Sequence, residues 1–248
     1  AITGAKLLYE KSTSASRKAE GMEPKAGWLR GKGEDTIIVH ENGIKYVISL
    51  SSGQKTGLFL DQREMRSLVR QHAKGRTVLD VCSYVGGFSL SALAGGALSA
   101  DAVDYDADAL VRAKEQAELN GLTANFETFE QDAFDFLRRE PMPKTYDFII
   151  LDPPAFAKSA DDIDGAKGSY TDLNRMAFQK ITPGGLLLTC SCSYQMSPEI
   201  FQTAVFHAAL QAKRNVRIIQ KHHLAADHPV NLFHPETDYL KSLLLWVE

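Results

Sequence analysis

The chain has 248 residues, 44% of them hydrophobic and 24% charged, with a formal net charge of −3. That length and balance suit one large α/β domain or a domain with a small appendage, give no global signal for a polyanion partner, and leave no apolar run near the ~20 residues that cross a bilayer. The first residues form no apolar signal core and lack an initiator Met, so a processed or truncated chain that is not secreted is expected; the three cysteines, Cys82, Cys190 and Cys192, argue against a disulfide framework and for a reducing cytoplasm.

Charge is unevenly placed. Residues 1–33 carry seven Lys/Arg (Lys6, Lys11, Arg17, Lys18, Lys25, Arg30, Lys32) against three acids (Glu10, Glu20, Glu23). The stretch from Asp101 to Asp172 is strongly acidic. A basic front could steer a polyanion to one side, and solvated surface charge explains it equally well.

The first clear element is a hairpin: Thr36–His40 and Ile44–Leu50 flank Glu41-Asn42-Gly43, and Asn-Gly is a strong hairpin turn signal. Beyond Gln62 strands and helices alternate. Expected strands are "RTVLDVC" (76–82), "SADAVDYD" (99–106), "NFETFE" (125–130), "YDFIILD" (146–152), "GGLLLTCS" (184–191), "VRIIQKHH" (216–223) and "KSLLLWV" (241–247). Expected helices cover 86–96, 106–121, a turn or two near 132–139, a segment around 172–181, and 197–212, the last opening on a Ser cap and an N1 proline. The alternation implies a doubly wound parallel sheet, with ligands bound beyond the carboxyl ends of its strands at the switch point.

The strand ends therefore deserve a reading one by one. The first leads into Asp80-Val-Cys-Ser-Tyr-Val-Gly-Gly-Phe88, where a glycine pair opens a helix and lets backbone approach a ligand; a plain tight turn is the alternative. The second ends at Asp104, suited to a ribose diol or to capping a helix. The third is followed by Asp132, another cap or an acceptor for an adenine amino group. The fourth ends in Asp152-Pro-Pro-Ala-Phe156: two prolines remove N–H donors and free the adjoining carbonyls, and an acid beside an aromatic suits the edge and face of a heteroaromatic base. The fifth ends in Thr189-Cys-Ser-Cys-Ser193. A zinc site lacks its further ligands, and a redox pair lacks the C-x-x-C spacing. Cys190 reads as strand interior; Cys192 falls on the rim, where a thiol could act as a nucleophile.

Collected, these residues resemble the class I S-adenosylmethionine-dependent methyltransferases. More narrowly, "KTGLFLDQR" (55–63), "LDPPAFAKS" (151–159), "GSYTDLN" (168–174), "LLTCSCS" (187–193), "AADHPV" (225–230) and "ETDYLK" (236–241) resemble the bacterial 23S ribosomal RNA cytosine-5 methyltransferases that carry an N-terminal PUA domain. The resemblance implies a Rossmann-like doubly wound seven-stranded sheet over 55–248, preceded by a small hairpin-containing segment at 1–54, with the PUA domain absent from this chain. It implies S-adenosylmethionine as cofactor, with S-adenosylhomocysteine as product, held by Asp61, Gln62, Arg63, Asp80, Ser83, Tyr84, Gly86, Gly87, Phe88, Asp104, Asp132 and Asp152. It implies Cys192 as nucleophile and Asp152 as its catalytic partner. It implies that Pro153, Pro154, Phe156 and Lys158 hold the target base; the thiolate needs a lowered pKa, to which Lys158 or Arg63 could contribute. The implied partner is 23S ribosomal RNA, naked or in an assembly intermediate. No metal and no membrane are implied, and a homodimer is compatible with the chain. Two other readings stand beside this one: a purine methyltransferase of the guanine-N7 kind, which needs no thiol, and a non-catalytic RNA-binding or assembly module that keeps the fold.

Overall fold

The computed structural model describes residues 4–14, 17–18, 20–53 and 56–248. The chain divides into two units, Ala1–Phe59 and Leu60–Glu248. Gln54 and Lys55, where the boundary between the first segment and the catalytic domain is expected, lie outside the described residues.

The first unit holds two antiparallel strand pairs. β1 (Leu8–Ser12) pairs with β2 (Lys25–Arg30), and β3 (Thr36–Glu41) pairs with β4 (Ile44–Ser49). The second pair is the hairpin expected from Asn-Gly: both Asn42 (φ 51°) and Gly43 (φ 81°) are left-handed, as a two-residue turn of the primed type requires. Ile44, Tyr46 and Ile48 alternate along β4 and are all buried. β1 and β2 were not anticipated from the sequence. Their strands carry little alternation; Tyr9 and Trp28 meet edge to face at 5.2 Å across the pair, a cross-strand contact invisible until the pairing is known.

The second unit opens on a 3-10 turn (Leu60–Gln62) and α1 (Arg63–His72). Then follow β5 (Thr77–Val81), α2 (Gly87–Ala94), β6 (Ser99–Asp104), α3 (Ala107–Asn120), β7 (Phe126–Glu130), α4 (Ala133–Leu137) and β8 (Tyr146–Leu151). The chain closes with α5 (Ile163–Lys180), β9 (Ile181–Ser191), α6 (Pro198–Ala212), β10 (Val216–His222) and β11 (Lys241–Val247). The strands form one seven-stranded sheet in the order β10-β11-β9-β8-β5-β6-β7. β9, β8, β5, β6 and β7 are mutually parallel, while β11 runs antiparallel to both β9 and β10. The expected doubly wound sheet is therefore present, with one reversed strand inserted beside β9. The segment from β10 to β11 has no crossover helix, so the chain returns directly and must run the other way.

Side chains alternate across the sheet into two cores. Leu79, Val81, Ile149, Leu151, Leu187 and Leu245 face α5 and α6 residues such as Tyr170, Leu173, Phe201 and Ala208. Val78, Phe148, Ile150, Leu188, Cys190 and Leu244 face Met65, Leu68 and Val69 of α1 and Phe88 and Ala92 of α2. Both faces are covered, as the uninterrupted apolar runs require.

Two helices differ from expectation. α1 was not anticipated, although Met65, Leu68, Val69 and Ala73 fall at helical spacing and are all buried. α5 begins nine residues before the expected Asp172. Gly165 and Gly168 look like breakers, but both are exposed, while Ala166 and Tyr170 pack inward and extend the apolar face.

Candidate active site

β5 lies between β6 and β8, so the strand order reverses there and a crevice opens beyond the carboxyl ends of β5, β6, β8 and β9. The turn after β5 is tightly wound: Cys82 (φ 63°), Tyr84 (φ 50°) and Gly86 (φ 74°) are all left-handed. A Cβ at Gly86 would sit 3.1 Å from Ala113 Cβ of α3, so this position needs glycine for both conformation and space. Gly86 starts α2 with no side-chain cap, so the cap leaves the amides of Gly87 and Phe88 to other acceptors, while that of Ser89 goes to Asp80.

Asp104, at the end of β6, holds this turn. One carboxylate oxygen accepts Tyr84 N–H at 2.8 Å and the other accepts Asp106 N–H at 3.0 Å. Asp80 is fully buried; Oδ2 accepts Ser89 N–H and Oγ–H at 2.9 and 2.7 Å. Oδ1 of Asp80 and Oγ of Ser83 are buried and have no partner among the described residues. Burial pushes the Asp80 carboxyl up to about 7, against the two Ser89 hydrogen bonds that favour its charge.

A second acidic group adjoins it. Gln62 Nε2 donates to Asp152 Oδ1 at 2.8 Å, and Tyr239 Oη–H donates to Asp61 Oδ2 at 2.6 Å. Asp61 Oδ1 and Gln62 Oε1 are buried without partners among the described residues. Asp152 is also pushed up to about 7, by burial first and then by the negative charges of Asp80 and Asp61. Near neutrality it is thus shared between its charged and neutral forms.

The other expected residues divide. Phe88 turns into the core beside Met65 and Leu68. Asp132 caps α4, its Oδ1 accepting Phe134 N–H at 2.8 Å and Asp135 N–H at 3.2 Å. Phe156 stacks edge to face on Tyr170 at 4.8 Å and lies 6.3 Å from Phe134. Pro154 and Lys158 are exposed, and Pro153 is buried. Arg63 faces Asp227 at 2.7 Å and Glu64 at 3.2 Å.

β9 ends at Ser191, so Cys192 leaves the strand rather than sharing a face with Cys190. Cys190 is fully buried under α1, and burial raises its thiol well above the ordinary range; the Gln62 amide reaches it. Cys82 is also raised by burial and by the surrounding carboxylates. Cys192 is only partly buried, and its thiol faces the Pro153 carbonyl at 3.8 Å. Tyr170, Tyr239 and Lys241 each feel its charge; none of the three was singled out from the sequence. "ETDYLK" was noted as a motif, but chain distance hid that β11 sets Lys241 opposite Ser191. None of the three cysteines forms a disulfide. Among the described residues no His, Cys, Asp and Glu cluster could hold a metal ion.

Unpaired acceptors at Asp80 and Ser83, amides at the start of α2 and a carboxylate at Asp104 form a set that fits the ammonium, carboxylate and ribose hydroxyls of S-adenosylmethionine. Comparison with known proteins agrees. Two curated relatives, both called ribosomal RNA large subunit methyltransferase I, come from Shewanella denitrificans and Aeromonas salmonicida. Each is 42% identical to this chain over 96% of its length. The chain spans about 60% of the length of those relatives. The solved structure of SMU.776, a methyltransferase complexed with S-adenosylhomocysteine, superposes with a TM-score of 0.79 at 29% identity. That match covers 89% of this chain and 58% of the other. Trm5b from Pyrococcus abyssi, at 17% identity and a TM-score of 0.70 over 99% of this chain and 65% of the other, shares the fold. Residues 18–221 match the S-adenosylmethionine-dependent methyltransferase family, and with the crevice built as above the chain belongs to that family, with S-adenosylmethionine as its methyl donor.

Proposed function

We propose that this chain methylates C5 of a cytosine in large-subunit (23S) ribosomal RNA through a covalent adduct at Cys192. The observation that carries the reading is the 3.8 Å approach of the Cys192 thiol to the Pro153 carbonyl. It joins a partly exposed thiol to the Asp-Pro-Pro turn in one crevice, a pairing that purine methylation has no use for. The names of the curated relatives support the class of RNA.

When bound, S-adenosylmethionine supplies an electrophilic methyl group. The chain's own residues make the cytosine ring a match for it. The Cys192 thiolate forms a bond to C6, and the electron pair of the C5–C6 double bond shifts into the ring as aromaticity is broken. Negative charge develops toward N3, where Asp152, about half protonated at pH 7, donates a proton and so neutralises it. C5 is then an enamine carbon, nucleophilic enough to be alkylated. Loss of the C5 proton as H⁺ and expulsion of the Cys192 thiolate restore the C5–C6 double bond, and N3 returns its proton to Asp152. Asp80, Asp104 and the amides of α2 hold the donor, while Pro153 and Phe156 orient the base, which must leave any stack to enter.

Cys192→Ala should abolish methylation of ribosomal RNA while S-adenosylmethionine affinity, measured by calorimetry, stays within about threefold of wild type. Cys190→Ala should keep turnover within about threefold, because that thiol sits in the core. Methylation that persists in Cys192→Ala removes the cytosine reading in favour of a purine target, and nucleoside mass mapping names the product.

A further inference from the structure

A cysteine adds to a ring carbon as its thiolate, so something must favour the anion at neutral pH. The two cations expected from the sequence are engaged or exposed elsewhere: Arg63 pairs with Asp227 and Glu64, and Lys158 is exposed on the turn capped by Asp162. A third cation is tied to the thiol's own turn. Lys241 begins β11, paired in register with Ser191, the residue before Cys192. Its side chain is buried, and Nζ donates to Ser193 O and Met196 O, both at 2.6 Å. Those are the carbonyls of the turn that carries Cys192 away from β9.

The surroundings make this placement unusual. A buried ammonium ordinarily has a carboxylate partner, yet among the described residues Lys241 forms no ion pair. It has only two carbonyls, with Asp238 acting on it as the closest acid in effect and the Cys192 sulfur as the second negative influence. Cys190 on β9, Tyr170 on α5, Tyr239 ahead of β11 and Lys241 feel the charge of Cys192. Burial holds the first three neutral, with the Tyr170 hydroxyl pushed up to about 12. Burial lowers the Lys241 ammonium to about 8, still above neutrality, so it remains the charged member at pH 7.

We propose that Lys241 is a positioning residue for Cys192, clamping the turn that carries the thiol and supplying the positive charge against which its thiolate forms. The inference rests on the reading of Cys192 as nucleophile. A purely structural clamp would hold the two carbonyls and leave the thiol's acidity alone, so the test reads acidity directly.

Iodoacetamide alkylation of Cys192 in the full chain, followed peptide by peptide by mass spectrometry, gives its pH–rate profile without interference from Cys82 and Cys190. The wild-type midpoint is expected below the ~8.5 of a free cysteine. Lys241→Met is expected to raise the midpoint by about one pH unit and to slow alkylation at pH 7 about tenfold. Lys241→Arg, which keeps the charge, is expected to stay near wild type. A Lys241→Met protein with a native circular dichroism spectrum and an unmoved midpoint overturns the proposal. Should that variant not fold, the wild-type midpoint decides: at or above the free value the proposal fails, below it the proposal stands. Methylation surviving in Cys192→Ala sinks the nucleophile reading instead, whatever the alkylation profile shows.

Discussion

Asp104 both shapes the crevice and faces it. Its two oxygens take the amides of Tyr84 and Asp106 and so fix the left-handed turn that leads into α2. Each oxygen keeps a second lone pair, which is what two ribose hydroxyls require. Asp104→Ala removes both functions together, so S-adenosylmethionine affinity should fall by tenfold or more, about 1.4 kcal/mol at the least, with little change in the catalytic rate at saturating cofactor. Isothermal titration calorimetry reads the first quantity, and an unchanged affinity would contradict the ribose role. At this scale the sequence was most informative where chemistry and position coincide. Asp80, Asp104, Asp152 and Cys192 stood out in the sequence because each lies at or near the carboxyl end of a strand of readable pattern. Phe88 misled, because an aromatic in the first turn of a helix points to core or crevice depending on a rotation that only the packed α1 decides. Lys241 went unnoticed because its partner is brought to it by the reversed strand β11.

Elements were legible where caps and periodicity agreed. α3 runs between Asp106, which accepts Ala109 N–H at 3.0 Å, and Gly121 in the left-handed region, and α6 starts at the Ser197 cap as expected. α1 lacks such a sign: Gln62 precedes it without a side-chain cap, since its amide is turned to Asp152 instead. That contact thus removed the cue that marks a helix start. The contact between α1 and α2 is just as demanding. A Cβ on Gly95, at the end of α2, would lie 2.2 Å from the Arg70 carbonyl oxygen and 2.9 Å from its carbon. Backbone cannot yield there without moving one helix. Gly121 is the control: its φ of 68° disfavours a side chain, but nothing lies within 4 Å of its Cβ. Gly95→Ala should therefore cost about 2–3 kcal/mol, in the range of overpacked cores, and Gly121→Ala about 1 kcal/mol from left-handed strain alone. Urea denaturation midpoints compare the two, and equal losses would show that α2 can shift freely over α1.

For the molecule as a whole, the crevice opposes stability in a way that pH exposes. Asp80 and Asp152 are each pushed up to about 7 by burial, against ~3.9 for the unfolded chain. A carboxyl with a raised pKa binds more protons folded than unfolded between those two values. Unfolding free energy consequently falls as pH rises from about 4 to 7, and levels off above it. The exposed carboxylates Asp35, Asp162, Glu199 and Asp227 act in the opposite sense: each is lowered by its hydrogen bonds, so its contribution is lost only in acid, below the usual carboxylate range. Lys241, lowered to about 8 by burial, binds fewer protons folded than unfolded above that pH, and its penalty is relieved only in alkali. Three windows result, and between the acid loss and the neutral loss lies a maximum. The ligand-free protein should melt highest at about pH 4 and lower at pH 7–8, a profile that a Tm series at constant ionic strength measures. Asp152→Asn removes one of the buried charges and cannot ionise. It should flatten the decline between pH ~4 and ~7 while raising the Tm at pH 8. A wild-type Tm that stays level from pH ~4 to ~7 would mean that the two carboxyls ionise at their ordinary values, and that the crevice holds them solvated rather than strained.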